Sequence, residues 1–191
     1  SVDKLSLIMN KAKKLKIPMV AFFPYTPKRK KNKHGSEALN EDNLICQSIK
    51  LTKKYYPNIG IMCDVALDPY SSYGHDGIVE KGKILNDPTV NILSKISLSH
   101  AQAGADVIAP SDMMDGRVLK IRELLEAENY INTVIMSYSA KYASGFYGPF
   151  REALNSAPNF GDKKTYQMDF RNRKEALIEA KRDIEEGADI V

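Results

Sequence analysis

Two stretches of this chain are near copies of one another: Ala103-Gly104-Ala105-Asp106-Val107-Ile108 and Glu186-Gly187-Ala188-Asp189-Ile190-Val191. Each reads as a helix that stops at a glycine and turns directly into an apolar strand. A unit repeated in that way restricts the chain to folds in which strand and helix alternate. Short apolar runs at 18–23, 59–65, 106–109, 133–137 and 188–191 fit the strands. Four amphipathic stretches fit the helices. One runs from an Asn40 N-cap through Leu44, Ile45, Ile49 and Leu51, and one from Asp87-Pro88 through Leu93 and Ile96. A third carries Val118, Ile121 and Leu125, and the fourth Ala176, Leu177, Ala180 and Ile184. The pattern predicts right-handed βαβ units and a parallel sheet.

The repeat points to units that close into a barrel, and the expected class is α/β, a (β/α)8 barrel with about five of its eight units present. An open, doubly wound sheet is the alternative. It is weakened because no GxGxxG or GxxxxGK[ST] turn marks a nucleotide site. The expected domain is a single partial barrel over 1–191. Its last apolar run reaches Val191, so the chain reads as a piece of a larger enzyme.

Composition narrows the partners. A hydrophobic fraction of 43% and a charged fraction of 27% are those of an ordinary soluble globular protein. Much of the net charge of +4 lies in Lys28-Arg29-Lys30-Lys31 and Lys33, between Pro27 and Gly35. No aromatic residue interleaves with these charges, so the run reads as a solvated, mobile loop rather than a nucleic-acid site. Cys46 and Cys63 form no CxxC pair and read as buried thiols of a reducing compartment. No apolar run approaches the ~20 residues that cross a bilayer.

The chemistry concentrates in two places. Lys141 follows the apolar run 133–136 among Tyr138, Ala140, Tyr142, Phe146 and Tyr147, and Arg151 comes soon after. An ammonium in apolar surroundings loses solvation, which favours the free amine that a Schiff-base enzyme uses as nucleophile. The second place is the carboxyl end of the 59–65 strand and the loop it enters, where Asp64, Asp68 and Asp76 stand with His75 beside Asp76. Carboxylates at the carboxyl end of a barrel strand are placed for catalysis, and as hard oxygen donors they suit Mg2+. His75 reads as a ligand, an acid–base group or a loop residue satisfied by backbone. His100 falls on the apolar stripe of its helix and reads as a packing residue.

The segments MSYSAKYASGFYGPFRE, DVALDPYSSYGHDGIV, IAPSDMMDGR and GDKKTYQMD, in this order, resemble the porphobilinogen synthase (δ-aminolevulinic acid dehydratase) family. The resemblance implies a (β/α)8 barrel that condenses two 5-aminolevulinate molecules into porphobilinogen. It implies that Lys141 forms a Schiff base with one substrate molecule and that Asp64 lines the site. Arg151, Lys163 and Gln167 match the groups that hold that substrate's carboxylate. Zinc-type members have three cysteines where this chain has Ala66, Asp68 and Asp76. The resemblance is therefore to the magnesium-type branch, with Mg2+ rather than zinc expected. Glu179 matches a glutamate that binds an allosteric Mg2+ in that branch.

A homo-oligomer, an octamer in the full-length family, is implied as the partner state, without nucleic acid or membrane. The compartment implied is a plastid-like organelle or the cytoplasm. The family's second Schiff-base lysine, N-terminal arm, first strand and last strands have no counterpart in these residues, so a chain limited to them is expected to be inactive. Two other readings remain open at this point: another Schiff-base barrel of the class I aldolase type, and a non-catalytic, self-associating fragment.

Overall fold

A computed structural model describes residues 2–154 and 157–191. The described elements are α1 (Val2–Lys14), β1 (Met19–Phe22), α2 (Leu44–Tyr55), β2 (Gly60–Val65), β3 (Ile78–Glu80), β4 (Lys83–Leu85), α3 (Asn86–Ala103), β5 (Val107–Pro110), α4 (Arg117–Ala127), β6 (Val134–Ile135), α5 (Gly148–Leu154) and α6 (Arg173–Glu185). Strands β1, β2, β5 and β6 form one parallel sheet whose spatial order follows the chain order. A sheet that always adds its next strand on the same side is an arc of a barrel; a doubly wound sheet would reverse direction partway. The predicted run at 188–191 is reduced to a single bridge, Met136 to Ile190, on the far side of β6. The antiparallel β3–β4 hairpin, which turns at Lys81-Gly82, is an addition that apolar periodicity did not announce.

The core lies between this sheet and the helices outside it. Ile61, Cys63 and Val65 of β2 meet Ile45, Cys46 and Ile49 of α2 and Leu93 and Ile96 of α3, while Val118, Ile121 and Leu125 of α4 close it beyond β5. Both cysteines are buried and unpaired, as expected. The N-cap of α2 is Asn43, whose side chain accepts from Cys46 N. Asn40 instead accepts from Asp42 N and ends the preceding turn. The basic run is not a loose loop. Lys28–Lys30 form a 3-10 turn, and Asn32 joins the backbone of Ser71 and Ser72.

The repeated motif has a shared physical purpose. Asp106 accepts from Ile61 N at 2.7 Å and from Lys53 Nζ at 2.6 Å. Asp189 accepts from Ile135 N at 2.8 Å and from Arg122 Nη2 at 2.5 Å. In both copies a carboxylate just past the helix-ending glycine ties the preceding strand to a cation on the helix that leads into that strand.

His100 is fully buried on α3, and neither ring nitrogen meets a hydrogen-bond partner among the described residues. Burial pushes its pKa down from 6.5 to about 4. Between those values the unfolded chain binds a proton that the folded one does not, so stability falls as pH drops through this window, by at most about 3 kcal/mol. His100→Leu should match the parent's stability at pH 7 or exceed it, because it removes unpaired buried polar atoms. It should also flatten the loss of stability between pH 6.5 and 4.5, read by urea unfolding at each pH. An unchanged acid dependence would refute the assignment.

Candidate active site

The parallel strands deliver their carboxyl ends to one rim, and the expected residues gather there. Asp64 is the next-to-last residue of β2, Ser111 follows β5, and Lys141 lies in the loop after β6. The Lys141 ammonium donates to the Ser111 carbonyl oxygen at 2.7 Å. It faces the rings of Tyr147 and Tyr138 at 5.5 and 5.9 Å. Phe146, expected beside it, points away and is almost wholly exposed. The Arg151 guanidinium lies 5.8 Å from the same Tyr147 ring, so one tyrosine spaces the two cations. Arg151 also reaches Gln167 Oε1 at 3.5 Å. The backbone of Met168 pairs with Lys141 and Ala143, which brings Gln167 and the segment before α6 over the lysine loop.

The carboxylates form a compact buried group. Lys163 donates to Asp76 Oδ1 at 2.9 Å and to Asp68 Oδ2 at 3.1 Å, with all three side chains largely shielded from solvent. Burial alone would raise Asp68, but Lys163 and then Lys141 overcome it and hold the carboxyl below its usual range. Asp76 is pushed up to about 7 by burial and by the Asp68 charge, against Lys163. Lys163 is raised, its two carboxylates outweighing its own desolvation. Asp64 is also pushed up to about 7, chiefly by burial, with the Ser111 hydroxyl pulling the other way.

The segment that carries Lys163 is fastened to the Asp68–Asp76 loop at further points. His75 is held on both sides, with Nε2 donating to Phe160 O at 3.0 Å and Nδ1 3.1 Å from the Tyr166 hydroxyl. Asn159 donates to the Ser72 carbonyl. Gly74 adopts φ +68°, and a side chain there would collide with the Ala157 carbonyl. His75 is thus a loop residue satisfied mainly by contacts to the segment it anchors.

Glu179 stands apart from this group. It lies on α6, paired with Arg182 at 3.1 Å, in the wall of a cavity of about 910 Å3 that also reaches His75, Tyr166 and Gln167. Burial raises its pKa, with Arg182 opposing. Among the described residues no three His, Cys, Asp or Glu side chains converge as a metal-binding group. Asp68 and Asp76 do not fit Mg2+ as they stand, because the Lys163 ammonium already supplies the cation between them. Sequence patterns missed Ser111 and Tyr166. Ser111 sits at the carboxyl end of a barrel strand and was open to the same argument as Asp64. Tyr166 carries no such signal.

Removing the Lys163 charge leaves two buried carboxylates facing one another. Lys163→Met should cost about 3 kcal/mol or more of stability at pH 8, and less at pH 5, where Asp76 takes up a proton. Adding Asp76→Asn should recover most of the loss. Denaturant unfolding at both pH values checks this, and a pH-independent loss would count against the pairing.

A family model described as delta-aminolevulinic acid dehydratase matches residues 1–191. The delta-aminolevulinic acid dehydratase of Bradyrhizobium diazoefficiens is 55% identical over 192 residues, covering 100% of this chain and 54% of that protein. The chloroplastic delta-aminolevulinic acid dehydratase 1 of Arabidopsis thaliana is 58% identical over 182 residues, covering 95% and 42%. The crystal structure of the Toxoplasma gondii ME49 enzyme in complex with porphobilinogen superposes with a TM-score of 0.96 at 48% identity, covering 99% of this chain and 55% of that one. The chain spans about half the length of the relatives it matches. With its sheet, rim and four sequence motifs in agreement, it belongs to the delta-aminolevulinic acid dehydratase family.

Proposed function

We propose that the protein carrying this chain condenses two molecules of 5-aminolevulinate to porphobilinogen, with Lys141 forming a Schiff base to one of them. The observation that carries the reading is Lys141 held against Ser111 O at the strand ends, within the electrostatic reach of the buried Asp64. Membership of the family, and a relative crystallised with porphobilinogen, support the substrate class.

The chemistry follows from these groups. The neutral amine of Lys141 adds to the ketone carbon, and the carbonyl π pair moves to oxygen. The nitrogen then gives up a proton and the oxygen takes up two, one in exchange for that proton and one from an acid. The oxygen leaves as water, and the nitrogen lone pair closes the C=N bond as a protonated Schiff base. Asp64, titrating at about 7, holds or releases the required proton near neutral pH. Arg151 and Gln167, already in contact, are the fixed half of a carboxylate clamp. Lys163 is the exchangeable half, since substrate carboxylate and Asp76 compete for its donors.

No step is routed through a metal at Asp68 and Asp76. Glu179 is the residue proposed to hold Mg2+, away from Lys141, where an ion that keeps most of its waters needs few protein ligands. Apolar side chains exposed on α6, Leu177, Ile178 and Ile184, support the expectation of a homo-oligomer. Plant relatives named as chloroplastic support a plastid-type compartment. No described helix is long and apolar enough to cross a membrane.

Borohydride reduction in the presence of 5-aminolevulinate should fix one adduct on the Lys141 peptide of the full-length protein, identified by mass spectrometry. Lys141→Met should abolish it. Glu179→Ala should remove any Mg2+ stimulation of turnover while leaving the adduct. Failure to label Lys141 under saturating substrate would sink the catalytic assignment.

A further inference from the structure

The Lys141 loop is held by a residue that never touches the lysine. Arg117, the first residue of α4, is only 3% exposed. Its Nη2 donates to Ser137 Oγ at 3.0 Å and to the Tyr138 carbonyl at 3.2 Å, at the end of β6. Its Nη1 donates to the Met114 carbonyl at 3.2 Å and lies 3.5 Å from Asp183 of α6. Nε lies 3.6 Å from Asp112 Oδ2. The network closes on itself, because Ser137 Oγ donates to Asp183 Oδ2 at 2.7 Å and Met114 N donates to Asp112 Oδ1 at 2.7 Å.

Both anchors of Lys141 lie on this network. Tyr138 is where the lysine loop leaves β6, and its ring faces the ammonium. Asp112 directly follows Ser111, whose carbonyl receives that ammonium. We infer that Arg117 is a positioning residue for Lys141: a single planar fork fixes the base of the lysine loop and the carbonyl that holds the lysine's tip. The inference rests on the Schiff-base reading of Lys141. Only arginine offers donors at several fixed angles to a carbonyl on each side with a carboxylate at each end. A lysine in its place keeps the charge between Asp112 and Asp183 but spans fewer of these acceptors.

Arg117→Lys therefore separates charge from geometry, and it is tested in the full-length protein with 5-aminolevulinate and borohydride. At saturating substrate the rate of adduct formation at Lys141, per folded molecule, should fall by about tenfold or more, with the half-saturating concentration changed by less than about threefold. A rate within about threefold of the parent overturns the inference. Should Arg117→Lys not fold, Ser137→Ala decides. It removes one bond of the fork and should slow trapping by about threefold or more, whereas an unchanged rate overturns the inference. If the parent protein itself forms no adduct, the Schiff-base reading fails, and positioning is then read by reductive methylation with formaldehyde and cyanoborohydride. The ratio of labelling at Lys141 to that at the exposed Lys4 should shift by about threefold or more in Arg117→Lys, and an equal ratio overturns the inference.

Discussion

A primary ammonium taken out of water and set between two carboxylates, as Lys163 is between Asp68 and Asp76, joins segments that share no strand. The carboxylates come from the loop after β2 and the ammonium from the segment before α6. Each charge alone would carry a desolvation penalty of several kcal/mol at this depth, and only the mutual contact offsets it. The contact therefore acts less as added stability than as a condition for the site's closed arrangement. The further described contacts between that segment and the loop after β2 are neutral, among them the His75 ring between Phe160 O and Tyr166, Asn159 on Ser72, and the close approach at Gly74. These contacts join the same two segments that Lys163 bridges.

The barrel arc was legible because its unit repeats. Glycine, small residue, aspartate and an apolar pair specify a helix stop, a strand start and a carboxylate facing back along the sheet. The bonds of Asp106 and Asp189 explain why the aspartate recurs. The α2 start was misplaced by one turn because Asn40 and Asn43 are both competent caps. Asn43 alone is followed at the right distance by the first apolar residues of the helix. The β3–β4 hairpin and the anchored basic turn were not legible. Three-residue strands leave no periodicity to count, and a run of lysines gives no hint that Asn32 will pair with a loop far along the chain.

The site divides along the same line. Asp64 stands at the carboxyl end of β2 and Lys141 in the loop after β6, so position along the barrel unit flagged them. Arg151 lies on the short helix α5 and Lys163 and Gln167 on irregular chain, and only resemblance gave the three a shared role. The meaning of Asp68 and Asp76 changed most. As a sequence they read as oxygen ligands awaiting a divalent ion; folded, they face an internal cation. No pattern of carboxylates could reveal that, since the partner comes from a segment far downstream with no fixed spacing. Arg117 was hidden for the opposite reason. It sits at a helix start among ordinary residues, and its reach becomes apparent only when β6 and α6 are packed against it.

These buried charges also bear on what the rim can accept. Lys141, Lys163 and Arg151 contribute three cations, while Asp68 is held as a firm anion. Asp64 and Asp76, both pushed up to about 7, gain a negative charge only as pH rises through neutrality. Below that point the cationic groups outnumber the ionised carboxylates, and an incoming carboxylate meets a net attractive field inside a poorly screened pocket. Above it, Asp76 holds Lys163 more tightly and Asp64 repels the guest. The desolvation that raises these two acids therefore makes the rim more attractive to an anion as pH falls below neutrality.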